Sequence, residues 1–369
     1  MGRMYGHTEY FLRKRAYDPP KQREIPVLIS GEPVNHQVLK MFARRVRVIQ
    51  SDWLHKTLSA LRQNSPDDPI WIDLGMTGWL RSDEWYEPGP QLSFTPAEKA
   101  RGEKILREIG VPEGAQYVCM FAKDRLYTDS PDTKLDPNSY WGSLDFRNCD
   151  IETYLKAATY LAEQGIYVLR MGIHKPEKPL SSDRHPNIID YTADIRPTLD
   201  DPEFTDAYLQ ANCKFFLGTT SGIYILSSIF GVPIAYANMI PYGECGRSHH
   251  DVFIVKKCRN TKTGEFIPFK ELIEMGMDSD WFTEEEIQAY NDAGIEIVDN
   301  TPDEILDLVI EMNERLDGKW QPAPEDEELM RIYREISPAI CFDGSPFPGT
   351  AGAKFLRDNR PLLATGADK

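Results

Sequence analysis

Residues 215–222, FFLGTTSG, carry the strongest chemical signal in the chain: an apolar run gives way to small residues and three hydroxyls before a helical stretch begins. Small residues let a backbone approach a ligand closely. The hydroxyls of Thr219, Thr220 and Ser221, bracketed by Gly218 and Gly222, can join the free N–H groups of a helix start around phosphate oxygens. A plain strand-to-helix turn with Ser or Thr as N-cap reads the same way on local grounds.

Cations recur at the ends of other strand-like runs. Lys123, Asp124 and Arg125 follow YVCMFA (117–122), and Arg170 closes IYVLR just before Met171-Gly172. Gathered at the carboxyl edge of one sheet, they would offset the chain's acidity where an anion must bind; surface ion pairs are the alternative. Arg147 and Asn148 stand before Asp150, a natural N-cap for a helix opening at Ile151. Near the start, Gly6-His7 can present an imidazole, the side chain best suited to take a proton near neutral pH. A lone His near a chain end is more often an ordinary surface residue.

Other constellations fall short. His249-His250-Asp251 are adjacent residues with no distant partner, so no metal site is expected. Ser221 lacks the G-x-S-x-G elbow of a hydrolase, and no G-x-G-x-x-G precedes an acidic residue at the distance a dinucleotide site requires.

The elements that must hold these residues alternate strand and helix. IPVLIS (25–30), a helical stretch at 34–45 with Val34, Val38, Met41 and Phe42 on one face, VRVI (46–49) and IWIDL (70–74) predict a first α/β unit. A turn-rich stretch at 86–96 then leads into a helix with Thr95 as N-cap, Pro96 at its first position, Glu98 closing a capping box and Gly110 at its end. A domain boundary is placed there. Strands at 117–122, 166–171, 187–191, 213–217 and 232–237 follow, with helices at 151–164 and 202–211 and another through Phe230. That rhythm predicts a doubly wound sheet with ligands at its carboxyl ends. Residues 243–264 read as an irregular loop over the cleft. Thr283 with Glu286 and Thr301 with Glu304 predict two further capping boxes, and the acidic run 325–328 reads as a solvated helix start.

The chain has 369 residues, a length that favours two domains, and its hydrophobic fraction of 41% can supply a core in each. Fifty-eight acidic against 42 basic residues leave a formal charge of −16, which argues against nucleic acid or an anionic membrane as a partner. The six scattered cysteines form no CxxC pair and read as reduced thiols of a cytoplasmic protein. No apolar run approaches the ~20 residues of a membrane span, and residues 1–15 lack the apolar core of a signal peptide.

Taken together, these motifs resemble a family of bacterial glycosyltransferases. The resemblance runs through Gly6-His7, Ser30-Gly31 with Asn35 and Leu39-Lys40-Met41, Lys123-Asp124 with Tyr127, Arg147-Asn148-Cys149-Asp150-Ile151 with Tyr154, and Arg170-Met171-Gly172. It continues through Asp206-Ala207-Tyr208, the Gly218–Gly222 loop, Phe230-Gly231-Val232-Pro233 with Asn238, the helix start at 300–305, and Phe355-Leu356 with Asn359. The family has arginine where this chain has Lys123, and a strand before the Gly-His segment. Here only residues 1–5 precede Gly6, so the chain is either clipped at its start or one strand short.

The resemblance implies two Rossmann-like, doubly wound α/β domains facing a cleft in the GT-B manner. Residues 1–94 would form the acceptor-side domain, short of its first strand, residues 95–320 the nucleotide-sugar domain, and residues 321–369 a helical segment packing back across both. Donor contacts would come from Gly6, Lys123, Asp124, Arg125, Arg147, Asn148, Arg170, the 218–222 loop and Asn238, with His7 as first choice of base and Asp150 as second. Cations and hydroxyls would neutralise the leaving nucleoside phosphate without a metal, and no cofactor beyond the donor is expected. The acceptor would be a glycan, a lipid-linked species or a protein in cell-surface or secondary glycan synthesis, and a homo-oligomer fits this picture. A sugar-nucleotide epimerase or hydrolase, or a non-catalytic nucleotide- or glycan-binding protein, would use the same cleft.

Overall fold

The computed structural model describes residues 2–21, 24–65, 68, 70–71, 82–124, 144–176, 178–240, 242–243, 246, 248–278, 284–337 and 347–364. In chain order these begin with α1 (Gly2–Tyr17), β1 (Val27–Ser30), α2 (His36–Phe42), β2 (Arg47–Gln50), α3 (Asp52–Asn64), α4 (Ser82–Tyr86) and α5 (Pro96–Glu108). Next come β3 (Tyr117–Phe121), α6 (Leu155–Glu163), β4 (Tyr167–Arg170), β5 (Ile188–Ile189), α7 (Pro202–Asn212), β6 (Phe216–Gly218), α8 (Ile225–Ile229) and β7 (Ile234–Met239). The chain continues through β8 (Val252–Val255), β9 (Lys257–Asn260), α9 (Phe269–Glu274), α10 (Glu284–Asp292), β10 (Ile295–Val298) and α11 (Pro302–Leu316). It closes with α12 (Asp326–Ile336), β11 (Thr350–Ala351) and α13 (Ala353–Asp358).

Seven strands form one sheet in the order β11-β8-β7-β6-β3-β4-β5, every pair parallel. A parallel sheet covered on both faces needs strands that are apolar throughout. β6, β7 and β8 are buried at every residue, and β3 at all but its last. From β3 the chain adds β4 and β5 on one side; from β6 it adds β7, β8 and finally β11 on the other. Right-handed crossovers therefore carry α6 and α8 to opposite faces. α6 packs on α11 over one face. On the other, the Tyr117 hydroxyl donates to the Leu209 carbonyl at 2.9 Å and seats α7 beneath β3. The order reverses between β3 and β6, the position where doubly wound sheets open a crevice at their carboxyl ends.

The capping chemistry forms as the sequence dictates. Thr95 with Glu98 and Thr301 with Glu304 make complete capping boxes, each with Pro in the first turn, and Gly110 takes the left-handed φ of +98° after α5. Glu98 does more than cap, because its carboxylate also accepts from Gln37 and Arg44 and so ties α5 to α2. Thr283 lies outside the described residues.

Several expectations are corrected. The Gly6-His7 segment is the interior of a helix: residues 2–17 contain no proline, and Tyr5 and Leu12 are buried against the rest of the protein, which outweighs the single interior glycine. Among the described residues of the first 94, the sheet is the two-stranded parallel pair β1-β2. Ile70 and Trp71 lie in a turn, and the rest of the expected 70–74 strand is outside the described residues. α1 packs on α8 and α2 on α7, so the core of the large sheet runs without a break through Tyr5, Val38 and Phe42. The 243–264 stretch is no open loop, since VFIV (252–255) forms buried strand β8 and the following residues form β9, which pairs antiparallel with β10. The 321–369 segment is not purely helical, for β11 joins the sheet edge beside β8. Asp326, in the acidic run, is buried and paired with Arg357.

Candidate functional site

Gly218 pairs with Phe121 across the reversal point, so the chain leaving β6 (Thr219, Thr220, Ser221, Gly222) faces the chain leaving β3 (Ala122, Lys123, Asp124). Gly218 itself answers to the sheet. A Cβ there would sit 2.7 Å from the Phe121 carbonyl oxygen and 2.7 Å from the Phe216 ring, so glycine is required by packing.

The three hydroxyls divide. Thr220 donates to the Ile240 carbonyl at 3.1 Å and is spent on structure. Thr219 Oγ1 and Ser221 Oγ are buried and, among the described residues, have no hydrogen-bond partner. Ser221 sits at the N-cap position of a short helical turn, Gly222–Tyr224, yet makes no capping bond. The plain N-cap reading of this loop therefore fails. The backbone of Ser221 is itself extended (φ −154°, ψ 165°), although the chain bends at Thr220 and Ser221 as it leaves β6. Buried hydroxyls are nearly always bonded, so two at this strand exit with no partner among the described residues are groups that a ligand oxygen could complete.

Opposite them, the Lys123 ammonium donates to Asn148 Oδ1 at 2.6 Å, and the Cys149 amide donates to the Lys123 carbonyl at 2.9 Å. Arg147 lies with its guanidinium carbon 5.7 Å from the Phe146 ring centre. Asp150 is exposed and caps the next turn by accepting from the Glu152 amide at 3.0 Å. Lys123, Asp124, Arg147 and Asn148 are all half-buried. Arg125 and Tyr127 lie outside the described residues.

Other expected contacts go elsewhere. Arg170 is buried, and its guanidinium donates to Asp190 at 3.2 Å and to the Lys178 carbonyl at 3.1 Å. Asp190 also receives the Leu180 amide, so this is the ion pair that folds the 178–180 segment onto β4. Asn238 is fully buried, and it exchanges amide bonds with Asn300 and donates to the Tyr154 hydroxyl at 3.1 Å. His7 is buried on α1, not held out on a loop. The His249 and His250 rings touch at a tilt of 48°, their centres 3.9 Å apart, and His249 also makes an edge contact with Tyr86. Burial pushes the Cys149 thiol up to about 11, which leaves it neutral and unreactive near neutral pH.

Lys256 was missed. It leaves β8 at the same carboxyl edge, and its ammonium donates to the Asn148 carbonyl at 2.8 Å and pairs with Asp299 at 2.6 Å. The signal was present, a lysine directly after the apolar run VFIV, as Lys123 follows YVCMFA; reading 243–264 as loop hid it.

No family model matches the chain, and no curated protein matches it. A solved structure similar to part of the chain is the crystal structure of the dodecameric iron-containing heptosyltransferase TibC in complex with ADP-D-beta-D-heptose. It is 12% identical with a TM-score of 0.23, over 61% of this chain and 60% of that one. Among the described residues, no helix is long and apolar enough to cross a membrane.

Proposed function

We propose that the crevice between the β3 and β6 exits binds the phosphates of a nucleotide-activated sugar and that the chain is a glycosyltransferase. One observation carries this reading. Thr219 and Ser221, two buried hydroxyls with no hydrogen-bond partner among the described residues, lie where the strand order reverses, beside the segment that holds Lys123. In such a site the hydroxyls and the ammonium would stabilise charge developing on the departing nucleoside phosphate. Residues 1–94, which pack through α1 and α2 against α8 and α7, would supply the acceptor side in a GT-B-like arrangement. Asp150, exposed beside Asn148, is better placed to meet an acceptor hydroxyl than His7, buried inside α1.

The test is a thermal-shift screen of nucleotide sugars, nucleoside diphosphates and free sugars, followed by turnover with candidate acceptors. A ligand at 100 times its Kd adds roughly 2.7 kcal/mol of stability. Phosphorylated ligands should stabilise the protein and free sugars should not, and nucleoside diphosphate release should depend on an acceptor. Release without acceptor would assign a hydrolase instead. Binding without turnover would leave a nucleotide-binding protein, and no shift with any phosphorylated ligand would end the reading.

A further inference from the structure

Lys256 is 2% exposed, an unusual place for an ammonium, and both groups it touches lead toward the proposed phosphate crevice or its rim. It holds the Asn148 carbonyl, while the Asn148 side chain holds Lys123. β8 and β3 flank β7 and β6, so their exits lie three inter-strand steps apart, about 14 Å. A Lys256–Asn148–Lys123 bridge links these two exits, which flank those of β6 and β7. Tyr154, six residues after Asn148, touches Asn238 in β7, which sets the same segment against that edge.

We infer that Lys256 is a positioning residue for anion binding: through Asn148 it fixes the Lys123 ammonium opposite the Thr219 and Ser221 hydroxyls. The inference rests on the phosphate reading above. It explains why a charged side chain is buried here beside a carboxylate, Asp299, that itself stays partly exposed (37%). An apolar pair would fill the space at no electrostatic cost but would leave the Asn148 strap unheld.

The experiment is calorimetric titration of the full chain with inorganic pyrophosphate, as a double-mutant cycle. Lys256→Met with Asp299→Asn removes both charges together and leaves neither stranded. It should weaken pyrophosphate binding about tenfold. Lys123→Ala should weaken binding tenfold or more in the native background, but less than threefold once the pair is gone. Asn148→Ala, which keeps the Lys256–Asp299 pair, should reproduce that loss of coupling and guards against a double variant that does not fold. Native affinity in either background, or an undiminished Lys123 effect, would overturn the inference. If Thr219→Val and Ser221→Ala lower affinity while the Lys256 variants do not, the phosphate reading stands and the positioning role alone falls. If the unaltered protein ignores pyrophosphate, both fall.

Discussion

The side-chain oxygens of Asn238 and Asn300 each accept the other's backbone amide, at 2.6 Å in both directions, although the two residues are 62 positions apart. Asn238 takes a left-handed φ of +55°, interrupts the β7–β8 register, and donates to Tyr154. Asn300 also donates to the Val255 carbonyl at 2.9 Å and stands beside the Thr301 cap of α11. The clasp therefore ties together the exits of β7 and β8, the start of α11 and the Tyr154 turn.

Asn300→Ala leaves the buried Asn238 amide without an acceptor, which should cost about 1–3 kcal/mol. At Asn238, alanine should be worse than glycine by about 1 kcal/mol, because only glycine enters the left-handed region freely. Urea denaturation measures both, and equal midpoints for the two Asn238 variants would contradict the assigned backbone role.

Thr219→Val should separate stability from binding. The swap replaces a buried hydroxyl that has no partner among the described residues with a methyl group, so stability should hold or rise, while pyrophosphate affinity should fall about tenfold. A variant that loses stability and keeps its affinity would mean that the hydroxyl serves the fold.

Arg170→Met should act in the opposite way. Breaking a buried pair strands Asp190 and should cost about 3–5 kcal/mol, with pyrophosphate affinity of the folded protein nearly unchanged. Calorimetry beside chemical denaturation decides the case, and a large affinity loss at native stability would return Arg170 to the ligand site.

Glu9 predicts a pH dependence at the joint between the N-terminal helices and the large sheet. Its carboxylate accepts from Arg13 at 2.8 Å and from the Gln91 amide at 2.7 Å, while Arg13 also donates to the Trp85 and Ile229 carbonyls. Arg45 adds a second favourable charge, yet burial dominates and raises Glu9 to about 7. Because the folded value lies above the ordinary carboxylate value, this group's contribution is full below pH ~4.5 and is lost as pH rises through about 7. Stability should fall across that window with a slope approaching ~1.4 kcal/mol per pH unit, and Glu9→Gln should flatten it. An identical slope in the variant would rule out Glu9 as the source.

Much of this protein is written locally. Thr95-Pro96 with Glu98, Thr301-Pro302 with Glu304, and Gly110 form their caps wherever the chain goes, since a cap is satisfied within one turn. The apolar runs at 117–121 and 234–239 become central strands because a parallel sheet buried on both faces demands continuous apolar sequence. The hydroxyl-rich exit of β6 and the lysine after β3 were legible for the same reason. Tertiary structure alone decided the rest. Whether Arg170 meets a ligand or Asp190, whether Asn238 lines a crevice or clasps Asn300, and which hydroxyls of GTTSG are spent depend on partners 20 to 62 residues away. Composition near a polar side chain shows that it can bond. Only the sheet order, which sets β3 beside β6 and brings β8 within reach of Asn148, determines with what.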